Sequence, residues 1–169
     1  MARTDIDELR KTFRRLNPRV LRLWRWHLGW TMSIVPPLTG KVMVVGQIGR
    51  KSGLRRHTPL NYALIDGDVW CTTNEVSLWL RNVEASPGDV TVWLPLRRPR
   101  HATAEILPVD ASQVDRLRTV LKASGFAAGA FAGLHPRRDP DEVLLAGCEG
   151  YRLVRFRRGD VVPRAERGV

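Results

Sequence analysis

A cluster of basic residues with two glycines is the part of this sequence best equipped for binding chemistry. The stretch GRKSGLRRHTPLNY covers residues 49–62 and contains five side chains that can carry positive charge: Arg50, Lys51, Arg55, Arg56 and His57. Gly49 and Gly53 allow backbone conformations in which amide groups converge, and such a turn with cations around it suits a phosphate group. The stretch therefore predicts an anion-binding site.

Two common phosphate-binding motifs do not fit this stretch. A P-loop requires glycine directly before its lysine and a helix after it, whereas Arg50 precedes Lys51 here and Pro59 follows in a β pattern. The motif G-x-G-x-x-G is absent, and strands and helices do not alternate as in a Rossmann unit. Two interpretations stay open: an anion site, or a solvated hairpin whose charges protect a sheet edge from further pairing.

The composition indicates one folded domain with a strong positive charge. With 169 residues the chain is long enough for a single domain and an extension, and its hydrophobic share of 43% is typical of a folded protein. Its 28 Lys and Arg against 17 Asp and Glu leave a net charge of +11. This charge favours an anionic partner, such as a phosphate-bearing cofactor, nucleic acid or a lipid surface, without distinguishing among them.

Cysteine and histidine positions indicate neither a metal site nor a disulfide framework. Cys71 and Cys148 are far apart in sequence, and the four histidines have no H-x-x-x-H spacing. No apolar run approaches the ~20 residues of a membrane span, and the first residues lack a signal-peptide pattern. We therefore expect no bound metal and a cytoplasmic protein.

Residues 1–37 are predicted to form a basic, helical extension to a domain over residues 38–169. Apolar residues recur at helical spacing near the N-terminus, and Asn17-Pro18 is typical of the start of a second helix. Residues 1–30 contain eight basic and three acidic residues, a charge of +5, and three tryptophans: Trp24, Trp26 and Trp30. Such a segment either binds the anionic inner face of the cell membrane or covers the domain with its tryptophans.

From Val42 onward the sequence is typical of an antiparallel β protein. Six short runs rich in β-branched residues are separated by turn residues: VMVVGQI, HTPLNYALI, VWCTT, VTVWL, HATAEIL and GYRLVRFRRGD. A helix, SLWLRNVEA, interrupts them, a second is predicted from Asp110 to about Ala123, and residues 125–142 are predicted to be a loop or broken helix. This order implies a mainly β, α+β fold: a small antiparallel barrel with short helices packed on it.

The pattern from residue 38 to 107 resembles the deazaflavin-dependent nitroreductase family. The similarity rests on GRKSG, on Arg56 and the TPL that follows it, on Trp79 and Asn82 in the short helix, and on the strands around them. Proteins of that family have a split β-barrel of the FMN-binding type and use the deazaflavin coenzyme F420. The resemblance implies the same split antiparallel barrel here.

The resemblance also implies an F420H2-dependent oxidoreductase. Six residues would bind the cofactor, the first four at its phosphate and acidic tail and the last two beside its ring system: Arg50, Lys51, Ser52, Arg56, Thr58 and Pro59. Reduced F420 would transfer a hydride to an activated acceptor such as a nitroaromatic, a quinone or an enone. The chain departs from the family in the short loop at residues 74–76, where Glu75 adds negative charge.

Other roles and ligands are left open by the sequence. Tyr62 and Tyr151 are candidate proton donors, although each could be a core residue instead, and Trp24, Trp26 and Trp30 are candidates for covering the substrate. FMN or haem, or a cofactor carried without turnover, are alternatives at the same basic stretch. A nucleic-acid-binding barrel is disfavoured because the strands lack an aromatic RNA-binding signature. We expect a small-molecule acceptor as the partner, and a homodimer is compatible with such a barrel.

Overall fold

Seven β-strands and three α-helices make up the described part of the chain, which comprises residues 21–22, 40–125 and 133–162 of the computed structural model. The strands are β1 Val42–Ile48, β2 Arg55–Asn61, β3 Ala63–Ile65, β4 Asp68–Asn74, β5 Val90–Trp93, β6 Arg100–Pro108 and β7 Tyr151–Val161. The helices are α1 Leu78–Ala85, α2 Val114–Ala123 and α3 Asp141–Gly147, and a short 3-10 helix at Ala111–Gln113 leads into α2.

The predicted N-terminal extension lies almost wholly outside the described residues. Leu21 and Arg22 are helical. The rest of residues 1–37, including Trp24, Trp26 and Trp30, and the proposed boundary at residue 37 lie outside the description. Within the described ranges, no helix is long and apolar enough to cross a lipid bilayer.

The strands form one curled antiparallel sheet in the order β2-β1-β5-β6-β7-β4-β3. β2 and β3 are the two edges of this sheet although only Tyr62 separates them in sequence. Because one residue connects the two edges, the sheet must curl until they approach each other. Among the described residues β2 and β3 do not pair, so the barrel is split rather than closed. The predicted split antiparallel barrel is confirmed.

The interior of the curled sheet is apolar and is closed at one end by α1. Fully buried side chains from several strands meet there, with Phe156 and Met43 among the largest. Trp79, Leu80 and Val83 of α1 pack into the same cluster, so the helix covers the interior at its own end. Trp79 therefore packs in the core of the barrel.

A second apolar cluster lies on the outer face of the sheet, under α2 and α3. Leu117 and Leu144 of these helices pack there against Trp70 and Leu153 of the strands. The guanidinium carbons of Arg116 and Arg155 lie 5.4 and 5.7 Å from the centre of the Trp70 ring, so the indole interacts with both cations. The two helices thereby fix one side of the sheet.

Two elements differ from the sequence prediction. The run HTPLNYALI was expected to be one strand, but the chain leaves β2 and enters β3 at Tyr62, since the two halves pair with different neighbours. Helix α3 was not predicted, because residues 125–142 were expected to be a loop or broken helix. The acidic pair Asp141 and Glu142 after Pro140 is a usual start of a helix and was the missed signal.

The approach of β1 to β5 can be tested at Gly46. This residue pairs with Thr91 of β5, and a Cβ atom at Gly46 would overlap the Thr91 hydroxyl oxygen. We expect Gly46→Ala to lower the free energy of unfolding by about 1–3 kcal/mol, the usual range for overpacking, and Thr91→Ala in the same chain to restore most of it. Urea denaturation of the single and double variants measures both effects.

Gly88→Ala is the matched control for this substitution. A Cβ atom at Gly88 has no neighbouring atom within 4 Å, so the change should stay within about 0.5 kcal/mol of the native stability. If Gly46→Ala proved as harmless as Gly88→Ala, the register between β1 and β5 described above would be incorrect.

Candidate functional site

The basic stretch forms a tight turn between β1 and β2, and we call residues 49–56 the basic turn. The Gly49 amide donates to the Leu54 carbonyl at 2.8 Å, and the Gly53 amide donates back to the Gly49 carbonyl at 2.8 Å. Gly53 has a φ of +64°, a conformation that favours glycine over residues with a Cβ atom. The two glycines therefore serve the shape of the turn itself.

Side chains brace the basic turn on both sides. The Ser52 hydroxyl accepts a hydrogen bond from the Leu54 amide at 3.4 Å and a longer one from Arg56 at 3.5 Å. The Arg50 amide donates to Asn82 Oδ1 of α1 at 3.2 Å. This last bond ties the turn to the helix that closes the barrel, so the basic turn lies at the same end as α1.

The backbone amides of the turn bind to acceptors inside the protein. Five of them donate in this way: those of Gly49, Arg50, Ser52, Gly53 and Leu54. The expectation that these amides converge on an anion is therefore not met, because the turn needs them for its own structure. An anion bound here would contact the side chains.

The basic turn carries four exposed cations: Arg50, Lys51, Arg55 and Arg56. In the described part of the chain none of them forms an ion pair, and the only hydrogen bond from their side chains is the long one from Arg56 to Ser52. The turn is thus a concentration of positive charge with its donors available. A phosphate or carboxylate group is the complementary ligand.

The fifth basic residue, His57, contributes little charge. It lies opposite Gly46 on the outer face of the sheet and is half-buried. Burial, and secondly the neighbouring charge of Arg55, lower the pKa of His57 below its usual value of 6.5. The imidazole is therefore neutral at pH 7, and the cationic site consists of the four Arg and Lys side chains.

A buried glutamine, which the sequence analysis did not single out, supports the site from inside the barrel. Gln47 is only 2% exposed. Its side-chain amide, oriented to satisfy both of its groups, donates to the carbonyls of Val45 and Arg56 at 2.8 and 3.1 Å and accepts from the Thr58 hydroxyl at 2.9 Å. These bonds hold β2 to β1 beside the basic turn. A polar residue in the otherwise apolar run VMVVGQI was the available signal.

Thr58 and Pro59 follow the turn along β2. Thr58 lies opposite Val45 and faces the barrel interior, whereas Pro59, one residue on, faces the opposite side. β2 is an edge strand, where a proline is tolerated because no hydrogen bond from its nitrogen is needed on the open side. A ligand lying along this edge would be next to both residues.

The short loop after β4 is well defined and its acidic charge is compensated. The Val76 amide donates to Asn74 Oδ1 at 3.0 Å, and the Glu75 amide donates to the Gly150 carbonyl at 2.9 Å. The Glu75 carboxylate pairs with Arg152 at 2.8 Å. The negative charge of Glu75 is thus matched by a neighbour on β7.

The two candidate proton donors do not lie together. Tyr62 is in the barrel interior, but β2 separates it from the basic turn; burial raises its pKa, while the nearby charges of Arg97 and Arg158 lower it. Tyr151 packs in the outer cluster with α2 and α3, and burial followed by Cys148 raises its pKa. The described structure does not bring Tyr62 to the basic turn, and it puts Tyr151 outside the barrel interior.

No protein-family model and no curated protein matches this chain. Solved structures do match it. A protein of unknown function from Agrobacterium tumefaciens is 18% identical, with a TM-score of 0.53 over 73% of this chain and 51% of its own. This chain therefore spans about half the length of that protein.

Flavin-binding proteins are also among the similar structures. A pyridoxamine 5'-phosphate oxidase-related, FMN-binding protein from Nostoc punctiforme is 12% identical, with a TM-score of 0.51 over 79% of this chain and 77% of its own. A solved F420 reductase matches with a TM-score of 0.48 at 13% identity over 75% of this chain and 93% of its own. At such low identities the similarity establishes the fold: a split barrel like that of the pyridoxamine 5'-phosphate oxidase-related proteins.

Proposed function

We propose that this protein is an oxidoreductase that binds the deazaflavin cofactor F420 through the basic turn. The observation that carries the proposal is the set of four exposed cations, without ion pairs in the described structure, on a turn that is hydrogen-bonded to α1. The hydrogen bonds fix the backbone from which these side chains extend, so less of the turn has to be ordered when the ligand binds. The motif resemblance supports F420 as the ligand.

The side chains of the turn fit a phosphodiester and an acidic tail. Arg50, Lys51 and Arg56 present charged donors to solvent. The Ser52 hydroxyl accepts from the Leu54 amide and keeps its own hydrogen for an anionic oxygen. These donors lie within seven consecutive residues, so one phosphate-bearing group can meet several of them.

Protection of the sheet edge does not account for the whole cluster. Arg55 and Arg56 begin the edge strand β2, where cations do discourage pairing with another chain. Arg50 and Lys51 lie in the turn and outside the strand, so they have no such use. Binding of an anion explains all four side chains together.

The open edge of β2 is the proposed location of the ring system. A ligand anchored at the basic turn and extended along this edge would pass Thr58 and then Pro59, and it would meet no backbone donor at Pro59. Reduced F420 bound there would supply the hydride for an activated acceptor, such as a nitroaromatic, a quinone or an enone. The protein's own part is to bind the anionic end, orient the ring and limit access of water.

FMN is the second candidate cofactor. The similar Nostoc protein binds FMN, and the phosphate of FMN could use the same cations of the basic turn. FMN presents a terminal phosphate, whereas F420 presents a phosphodiester and an acidic tail, and the cations of the basic turn suit either anion. Titration with both cofactors therefore discriminates between them.

The first test of this proposal is a binding titration in which fluorescence quenching is the measured signal. We expect purified protein to bind oxidised and reduced F420 more tightly than FMN, and Lys51→Ala and Arg56→Ala each to weaken F420 binding by about five- to thirtyfold. That range corresponds to roughly 1–2 kcal/mol for an exposed charge-assisted hydrogen bond. Single-turnover oxidation of bound F420H2 by a quinone then tests for catalysis.

Arg137→Ala is the matched control, since it removes an exposed cation from the loop before α3, away from the basic turn. It should leave F420 affinity within about twofold of the native value. Equal losses for Arg137→Ala and Lys51→Ala would mean that net charge, and not the basic turn, governs binding. Tighter binding of FMN than of F420 would replace the deazaflavin by FMN in the proposal.

A second test uses Asn82, which positions the turn without carrying charge. Asn82→Ala removes the acceptor for the Arg50 amide, and we expect about a three- to tenfold loss of F420 affinity with less than about 1.5 kcal/mol of lost stability. Asn82→Asp keeps the acceptor and adds a negative charge, so its loss of affinity should diminish as salt is raised. If both variants bound F420 as the native protein does, the tether to α1 would have no role in the site.

A further inference from the structure

A second group of cations lines a cleft of about 560 Å³ at the other end of the barrel. We call this group the arginine rim; it consists of Arg97, Arg98, Arg100 and Arg158. Gly67 and Val161 also line the cleft. The seven residues of β1 separate this end from the basic turn by about 20 Å at the usual rise per residue.

The rim continues the interior face of the sheet. Arg158 pairs with Ala102, which belongs to the interior cluster, and it lies two residues beyond the buried Phe156 on the same face of β7. Tyr62 lies in the same interior, and the charges of Arg97 and Arg158 act on its hydroxyl. Arg158 and Tyr62 thus connect the rim to the apolar interior at this end of the barrel.

The positive charge of the rim is not compensated. The one carboxylate in the cleft, Asp68, is paired with Arg155 at 2.7 Å. Arg158 donates to the Gly67 carbonyl and Arg100 donates to the Gly159 carbonyl at 3.1 Å, so neither is neutralised. In the described structure the side chains of Arg97 and Arg98 have no ion pair or hydrogen bond.

Protection of a sheet edge against pairing with another chain does not explain these arginines. Arg100 and Arg158 belong to β6 and β7, each of which has a paired strand on both sides. The loop that carries Arg97 and Arg98 is anchored at its two ends, where the Arg97 amide donates to the Leu94 carbonyl and the Val162 amide donates to the Pro99 carbonyl. Its tip is Leu96, which is 84% exposed and has a φ of +58°, a strained conformation for leucine.

We propose that the arginine rim is a second anion-binding site, which takes a phosphate-bearing ligand at this end of the barrel. Several guanidinium groups around one cleft suit phosphate oxygens, because each can donate two parallel hydrogen bonds. The exposed Leu96 and Val161 place apolar surface beside the charges. The phosphate group belongs either to a free phosphate compound or to a lipid headgroup, and this site is distinct from the cofactor site proposed at the basic turn.

The test is an NMR titration of the full-length, ¹⁵N-labelled protein with inorganic pyrophosphate. We expect amide shifts at Gly67, at residues 96–98 and at residues 158–161, and Arg97→Gln/Arg98→Gln to weaken this response about tenfold or more. Both side chains are exposed and without partners in the described structure, so the variant should fold normally. The control, Arg50→Gln/Lys51→Gln, removes the same charge at the other end and should change the rim affinity by less than about twofold.

A second arm determines the source of the phosphate. The protein is sedimented with phosphatidylcholine vesicles that do or do not contain phosphatidylglycerol. A lipid headgroup is supported if vesicle binding requires phosphatidylglycerol and is lost in Arg97→Gln/Arg98→Gln and in Leu96→Asn. A free phosphate compound is supported if pyrophosphate shifts the rim amides but the protein does not bind the vesicles. No response at the rim in either arm, or shifts confined to residues 49–56, would overturn the proposal. Neither result depends on whether the protein binds F420.

Discussion

The connection of the two sheet edges through Tyr62 is the constraint on which the rest of the structure depends. β2 pairs with β1 at one edge and β3 pairs with β4 at the other, yet one residue links them. The sheet must therefore curl around its apolar face, and this produces an interior that contains Phe156 and Met43. A curled sheet has two ends, and α1 fills one of them while the arginine rim lies at the other.

The apolar interior explains why charge is concentrated at these two ends. An unpaired cation among the interior side chains would lose its hydration. Unpaired Arg and Lys residues can therefore occupy the interior face of a strand only near its ends, where that face reaches solvent. Neighbouring cations repel one another, by about 1 kcal/mol for a pair 4 Å apart in water, and less in salt. Both the basic turn and the arginine rim keep such cations without acidic partners in the described structure. Such a cluster slightly destabilises the folded protein. Binding of an anionic ligand therefore explains it better than a contribution to the stability of the fold does.

Local sequence patterns predicted the structural features that depend on residues close together in the sequence. The alternating runs predicted the strands and a small antiparallel barrel, and the run SLWLRNVEA predicted helix α1. The split form of the barrel followed from the family resemblance, and the glycines and cations of residues 49–56 predicted the turn. The same patterns could not predict the break at Tyr62, because that break arises from pairing with β1 on one side and β4 on the other. These patterns left residues 97–100 only as the connection between the predicted strands VTVWL and HATAEIL. Arg158 joins these residues through the ladder between β6 and β7, and no local signal specifies that ladder.

One strand connects the two cationic ends. The interior-facing positions of β2 begin with Arg56 at the basic turn, continue through Thr58 and Leu60, and lead to Tyr62 beside the arginine rim. Gln47 fixes the start of this row by bonding to the Arg56 carbonyl and the Thr58 hydroxyl. Because side chains alternate between faces, a slip of one residue in the register of β1 and β2 would turn both Arg56 and Tyr62 away from the interior. The register that Gln47 secures therefore sets the geometry at both ends of the barrel, although they are about 20 Å apart.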